Sequence, residues 1–180
     1  MNKIGMFFGT DTGTTRLLGK KIAKKLGEDL MDKPLNINRI SLDDLLSYKV
    51  LILGTATYGE GDLPGKENNV KNGSWAEFVP QLDDVDLTGK TIALYGVGNQ
   101  EKYGDRYVNG MAKLYQIMKD KGATIVGSWG TEGYTFTASE AVVDGKFVGL
   151  ALDNKSQKIN SDERIDGWVE MVKPMLVAAL

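Results

Sequence analysis

Three stretches combine glycine, hydroxyl and tyrosine residues in a way that suits a flat ring carrying a phosphate. The first is Thr10-Asp11-Thr12-Gly13-Thr14-Thr15, with four hydroxyls and a run of backbone N–H groups ahead of an amphipathic stretch. Unpaired amides at a helix start and the helix dipole both attract an anion. The plainer reading is a Thr/Asp helix cap with nothing bound. It is not a nucleotide-hydrolysing loop, because no Gly-Lys-Ser/Thr ending follows, and Arg16 is the only adjacent cation. The second stretch is Thr55-Ala56-Thr57-Tyr58-Gly59-Glu60-Gly61-Asp62. A tyrosine beside two glycines can stack on a planar ring while the backbone comes close, or it can simply be an exposed turn. The third, Gly96-Val97-Gly98-Asn99-Gln100-Glu101-Lys102-Tyr103-Gly104-Asp105, repeats that combination after another apolar run.

The chain has no cysteine and no histidine among its 180 residues. That excludes disulfides, iron–sulfur clusters and thiolate chemistry, and it removes the commonest general base and metal ligand. A metal site is not expected. A chain of this kind binds passively or leaves difficult chemistry to an organic cofactor. The net charge of -2 disfavours nucleic acid, which needs a clustered basic face. No apolar run reaches the length of a membrane span, and Ile4 to Phe8 is too short for a secretion signal, so a cytoplasmic location is expected.

The elements that must carry these loops are legible as alternating strands and helices. Ile4–Phe8 reads as a buried strand and Arg16–Leu26 as a helix with Leu18, Ile22 and Leu26 on one face. Leu35–Ile40 reads as an edge strand with Leu35 and Ile37 on one side, and Ser41 caps a short helix through Tyr48. Val50–Leu53 is the next strand; after a polar loop, Ser74 caps a helix bearing Trp75, Phe78, Val79 and Leu82. Thr91–Val97 is a fourth strand, Arg106–Lys121 a long helix closed by Gly122, and Thr124–Gly127 opens a fifth strand. Ile165, Trp168, Val169, Val172 and Leu176 mark a final helix. Between Ser128 and Lys146 lies an irregular segment, followed by a strand-like run, Phe147–Leu152. It is either an extra hairpin or an insertion into the fifth strand. The strand–helix alternation implies one domain over residues 1–180: a parallel sheet covered on both faces, with ligands beyond the strands' carboxyl ends.

Together the three loops resemble the flavodoxin family over essentially the whole chain. Thr10 to Thr15 is similar to the family's T-x-T-G-x-T phosphate signature, and the segment from Tyr134 to Asp153 resembles the long-chain branch. The resemblance implies a flavodoxin-like doubly wound α/β fold, a five-stranded parallel sheet in the order 2-1-3-4-5, with the insertion splitting the last strand. It also implies FMN as cofactor and a low-potential one-electron carrier rather than an enzyme. Thr10, Asp11, Thr12, Gly13, Thr14 and Thr15 would then wrap the FMN phosphate, and Tyr58 and Tyr103 would stack on opposite faces of the ring. Backbone groups of Thr57, Gly59, Gly98, Asn99 and Gln100 would line the ring edge, beside Asp105, with Thr55, Ala56, Glu60, Gly61 and Gly104 completing the loops. The Gly59–Glu60 peptide would turn its carbonyl toward the ring after the first electron.

Two departures from the family bear on potential. Asn99 stands where the family usually has aspartate, and the net charge is mild, so a less extreme lowest potential is expected. The ring is expected in an apolar sandwich with no adjacent cation. Glu60, Asp62, Glu67, Asp105, Glu132 and Glu140 are expected near it, to steer basic patches on partners or merely as a solvated rim. The resemblance further implies a monomer exchanging electrons with redox proteins: a flavodoxin reductase or oxidoreductase as donor, and a low-potential acceptor. Leu63-Pro64-Gly65 and the long loop to Trp75 resemble the nitrogenase-associated members, which makes a nitrogenase reductase one candidate acceptor. The rival readings are a flavodoxin-like NAD(P)H:quinone reductase, a receiver domain and a cofactor-free interaction module. The receiver would need a phosphoacceptor aspartate where Gly54-Thr55 stands.

Overall fold

Side chains alternate across a strand, so a strand buried on both faces feeds two cores at once. The computed structural model, which describes residues 2–9 and 13–180, is organised in that way. Strands β1 (Gly5–Gly9), β2 (Leu35–Asn36), β3 (Val50–Ala56), β4 (Thr91–Val97) and β5 (Thr124–Val126) pair in parallel in the order β2-β1-β3-β4-β5. On one face Phe7, Leu51, Leu53, Ile92 and Leu94 pack against residues of α2 (Leu42–Leu46), α3 (Trp75–Phe78) and α4 (Asn109–Asp120). On the other, Met6, Phe8, Ile52, Ala93 and Tyr95 meet α1 (Thr14–Leu26) and α5 (Ser161–Ala179). Each aliphatic side chain so buried is worth roughly 1.5–3 kcal/mol. Among the described residues no helix is long and apolar enough to cross a membrane.

The two readings of the late segment hold together. The first half of β4 pairs with β5, while Tyr95–Val97 pairs in parallel with β9 (Leu150–Leu152), so the last strand position is shared by two pieces of chain. Between them β6 (Trp129–Gly130), β7 (Val142–Val143) and β8 (Lys146–Phe147) form a small antiparallel sheet in the order β6-β8-β7.

Several boundaries differ from the sequence expectation, and three of them change an element's face, start or form. Strand β2 stops at Asn36, whose side chain accepts the Asn38 N–H at 3.1 Å and turns Ile37–Arg39 into a 3-10 helix. Leu35, 41% exposed, and Ile37, 1% exposed, therefore do not share a face. Helix α4 starts at Asn109 rather than Arg106, because Val108 sits in the left-handed region at φ 48 and a right-handed helix cannot pass through it. The helix begun at Ser74 tightens after Phe78 into a 3-10 turn, Val79–Leu82. The two predicted starts at Ser41 and Ser74 are supported by acids three residues on. Asp44 and Glu77 accept the Ser41 and Ser74 backbone N–H groups, each at 2.8 Å.

Candidate functional site

The phosphate-type loop leaves β1 at Gly9 and enters α1 at Gly13, which has φ +89. Thr10, Asp11 and Thr12 lie outside the described residues; Gly13, Thr14 and Thr15 stand at the helix start as expected. Thr15 is fully buried, and its Oγ1 has no hydrogen-bond partner among the described residues. A buried hydroxyl left unpaired costs about 1–3 kcal/mol, so a partner for this one would be stabilising. The first turn of α1 is held from below. Tyr95, on β4 and fully buried, donates its hydroxyl to the Thr15 carbonyl at 2.9 Å. Room for that ring comes from Gly54, where a Cβ would lie 2.0 Å from the ring carbon bearing the hydroxyl.

The other two loops meet at a concavity of ≈ 420 Å³, within the range of about 300–1,000 Å³ usual for small-molecule sites. Thr57, Tyr58, Gly59 and Glu60 line it from the end of β3; Gly98, Asn99, Tyr103, Arg106, Tyr107 and Val108 line it from the end of β4. The first wall is tightly folded. Tyr58 N–H donates to the Asp62 carbonyl at 2.9 Å and Asp62 N–H donates back at 2.6 Å, with Gly59 at φ +53 and Gly61 at φ +104. Thr57 Oγ1 accepts the Gly110 N–H at 2.9 Å, tying this wall to the first turn of α4. Half-buried Tyr58 and Tyr103, 39% exposed, thus border one space. A concavity bordered by two tyrosines, with a helix start and a hydroxyl unpartnered among the described residues on the same sheet rim, is compatible with the flavin phosphate expected from the resemblance.

Not every expected residue joins the lining. Gln100 does not: its backbone N–H is taken by buried Asp153 at 2.9 Å, and its side-chain oxygen accepts the Thr135 N–H. It fastens the insertion to the loop, with its N–H and side-chain oxygen committed there. Gly104 has a similar task, its carbonyl accepting the N–H groups of Thr137 at 2.7 Å and Ala138 at 2.8 Å. Thr55 is fully buried, its hydroxyl donating to the Ala56 carbonyl at 2.8 Å, and neither residue lines the concavity. Gly61 donates to the Tyr58 carbonyl at 3.1 Å and shapes the turn; Asp105 is an exposed carboxylate 3.2 Å from Arg106.

The expectation of no adjacent cation is overturned by Arg106. The sequence pattern places it in a helix, but the left-handed Val108 keeps it in the loop, where it lines the concavity. The expected acidic rim is also compensated in part: Arg106 faces Glu60 as well as Asp105, and Lys113 Nζ lies 2.6 Å from Asp62 Oδ1.

Asp153, which pattern reading of the sequence could not single out, anchors the second wall. Burial pushes its carboxyl up. The Ser156 hydroxyl and the N–H groups of Gln100, Ser156 and Lys155 outweigh that and hold its pKa below the usual carboxylate value. A group with a lowered folded pKa contributes fully above its unfolded value near pH ~4 and loses its contribution as pH falls through the folded value. Unfolding followed against pH should therefore steepen below about pH 4, and Asp153→Asn should flatten that acid limb. An unchanged limb in the variant would remove Asp153 from this role.

A family model described as Flavodoxin matches residues 6–168. A flavodoxin from Klebsiella pneumoniae is 50% identical over 173 residues, covering 96% of this chain and 98% of that protein. One from Enterobacter agglomerans is 46% identical over 178 residues, covering 98% and 100%. Among solved structures, Fusobacterium nucleatum flavodoxin bound to flavin mononucleotide superposes with a TM-score of 0.86 at 31% identity, covering 98% of this chain and 99% of that one.

Proposed function

This chain belongs to the flavodoxin family, and from that premise we propose that it holds one FMN non-covalently and carries single electrons between redox proteins. It is an electron-transfer protein, not an enzyme. The observation that carries the reading is the meeting of Tyr58 and Tyr103 at one concavity on the rim that also holds the Thr15 hydroxyl, unpartnered among the described residues. Bound FMN supplies a flat ring able to take up electrons one at a time. The chain's own part is to hold, orient and shield it. Thr15 Oγ1 and the N–H groups at the start of α1 would hold the phosphate, and the two tyrosines would cover the ring and keep water from its faces.

Gly59 leaves the peptide to Glu60 free to turn. A Cβ at its φ of +53 costs ~1–2 kcal/mol, which is about 40–90 mV for one electron where only one of the two redox states holds that φ. Gly59→Ala is accordingly expected to narrow the gap between the two one-electron potentials, as measured by anaerobic redox titration. An unchanged gap would count against a turning peptide.

For partners we propose a flavodoxin reductase or another oxidoreductase as donor, and a nitrogenase reductase or another low-potential protein as acceptor. Support for the finer acceptor is Leu63-Pro64-Gly65 and the long loop beyond it, which is seated on α3 by the Ala76 N–H donating to the Pro64 carbonyl at 3.0 Å. Anaerobic mixing of the reduced protein with purified nitrogenase reductase tests that choice, with absence of transfer excluding it.

Fluorescence titration of the purified protein with FMN tests the central reading. Quenching to a one-to-one endpoint is expected, and absence of binding defeats it. Mixing the loaded protein with NAD(P)H alone separates carrier from quinone reductase: direct bleaching of the flavin would favour the enzyme.

A further inference from the structure

We propose that Arg106 sets the potential of the second one-electron step, holding it less negative than the carboxylates at the rim would by themselves. The inference rests on the FMN reading above.

Arg106 lines the concavity, its guanidinium 5.1 Å from the centre of the Tyr103 ring. Its Nη1 lies 3.2 Å from Asp105 Oδ2 and, across the mouth of the site, 3.4 Å from Glu60 Oε2. At first sight two carboxylates cancel one cation and more. Exposure decides otherwise. The Arg106 side chain is 23% exposed, whereas those of Asp105 and Glu60 are 68% and 90% exposed. Water and salt screen a solvated carboxylate far more than a charge set into the wall, so inside the site the cation is felt more strongly than its partners.

Three further observations point the same way. Lys113 and Asp62, at 2.6 Å, have similar exposures of 42% and 50%, so that pair largely cancels itself. Asn99, on the pocket wall, is neutral. Arg106 Nε is buried without a hydrogen-bond partner among the described residues, leaving one donor of the guanidinium unspent beside the ligand space. The negative charge that the second electron brings is therefore met by a shielded cation.

The test is an anaerobic redox titration of the FMN-loaded wild type, Arg106→Gln and Arg106→Lys, with FMN dissociation constants measured alongside by fluorescence. Arg106→Gln is expected to weaken the hold on the cofactor after the second electron by about tenfold relative to the hold before it. That moves the second potential about 59 mV more negative. Arg106→Lys, which keeps the charge, is expected to restore most of the wild-type value. Lys102→Gln, removing an exposed cation 5.3 Å from the same Tyr103 ring, should have a smaller effect that fades with salt. A second potential unchanged or raised in Arg106→Gln overturns the inference, as does a fall in Arg106→Lys as large as that in Arg106→Gln. Failure of the FMN reading looks different: the wild type itself would not bind the cofactor.

Discussion

Valine in place of Thr15 is expected to weaken FMN binding by roughly 10- to 150-fold while leaving the affinity for riboflavin nearly unchanged. The side chain is fully buried at the first turn of α1, and its hydroxyl has no partner among the described residues. A hydrogen bond to a charged group is worth about 1.5–3 kcal/mol, and each 1.4 kcal/mol is tenfold in affinity. Valine fills nearly the same volume, so the change removes a polar contact and little packing. Riboflavin lacks the phosphate and supplies the control. Fluorescence titration with both ligands reads the difference, and an equal loss for both would mean that Thr15 supports the ring's end of the site instead. The same argument has a second consequence. Without ligand the threonine hydroxyl is a buried polar group with an unmet bond, so the unliganded valine variant should unfold at the same or a higher temperature than unliganded wild type.

The second large effect is on the fold beneath the loops. Alanine at Gly54 is expected to destabilise the protein by about 3 kcal/mol or more, near the upper end for overpacking, and to lower Tm by roughly 6–12 °C. The new Cβ would lie 2.0 and 2.2 Å from two ring carbons of Tyr95 and 2.5 Å from its hydroxyl oxygen. Tyr95 has nowhere to go: it is fully buried, and a Cβ at Gly19, on its far side, would lie 2.3 Å from the same hydroxyl. Any retreat breaks the 2.9 Å bond to the Thr15 carbonyl and frees the first turn of α1, so FMN affinity should fall with stability. Removing the obstacle tests the cause. Tyr95→Leu should be costly alone, yet it should recover part of the loss when combined with Gly54→Ala, a coupling that a double-mutant cycle reads. Strict additivity would place the strain elsewhere.

Much of the fold was legible because its signals are local and repeated. Apolar runs such as Val50 to Leu53 and the helical stripe of Leu18, Ile22 and Leu26 each declare an element within a few residues, and their alternation dictates a parallel sheet. The strand order and the split last strand followed from the family resemblance, and the structure agrees with both. Where local patterns misled, a short-range polar or steric event had intervened. The Asn36 side chain stopped β2, and the left-handed Val108 delayed α4.

The site divides along the same line. Composition and spacing alone determined that hydroxyls, glycines and tyrosines would gather at the carboxyl ends of the strands, since each loop follows its own strand directly. Only the tertiary structure decided which of those groups face a common space. Gln100 turns away to meet Asp153, more than fifty positions along the chain, and Arg106 comes to the wall beside Tyr103. The physical reason is that a hydrogen bond or a screened charge depends on distance and burial in space. Those quantities arise only when segments far apart in sequence pack together.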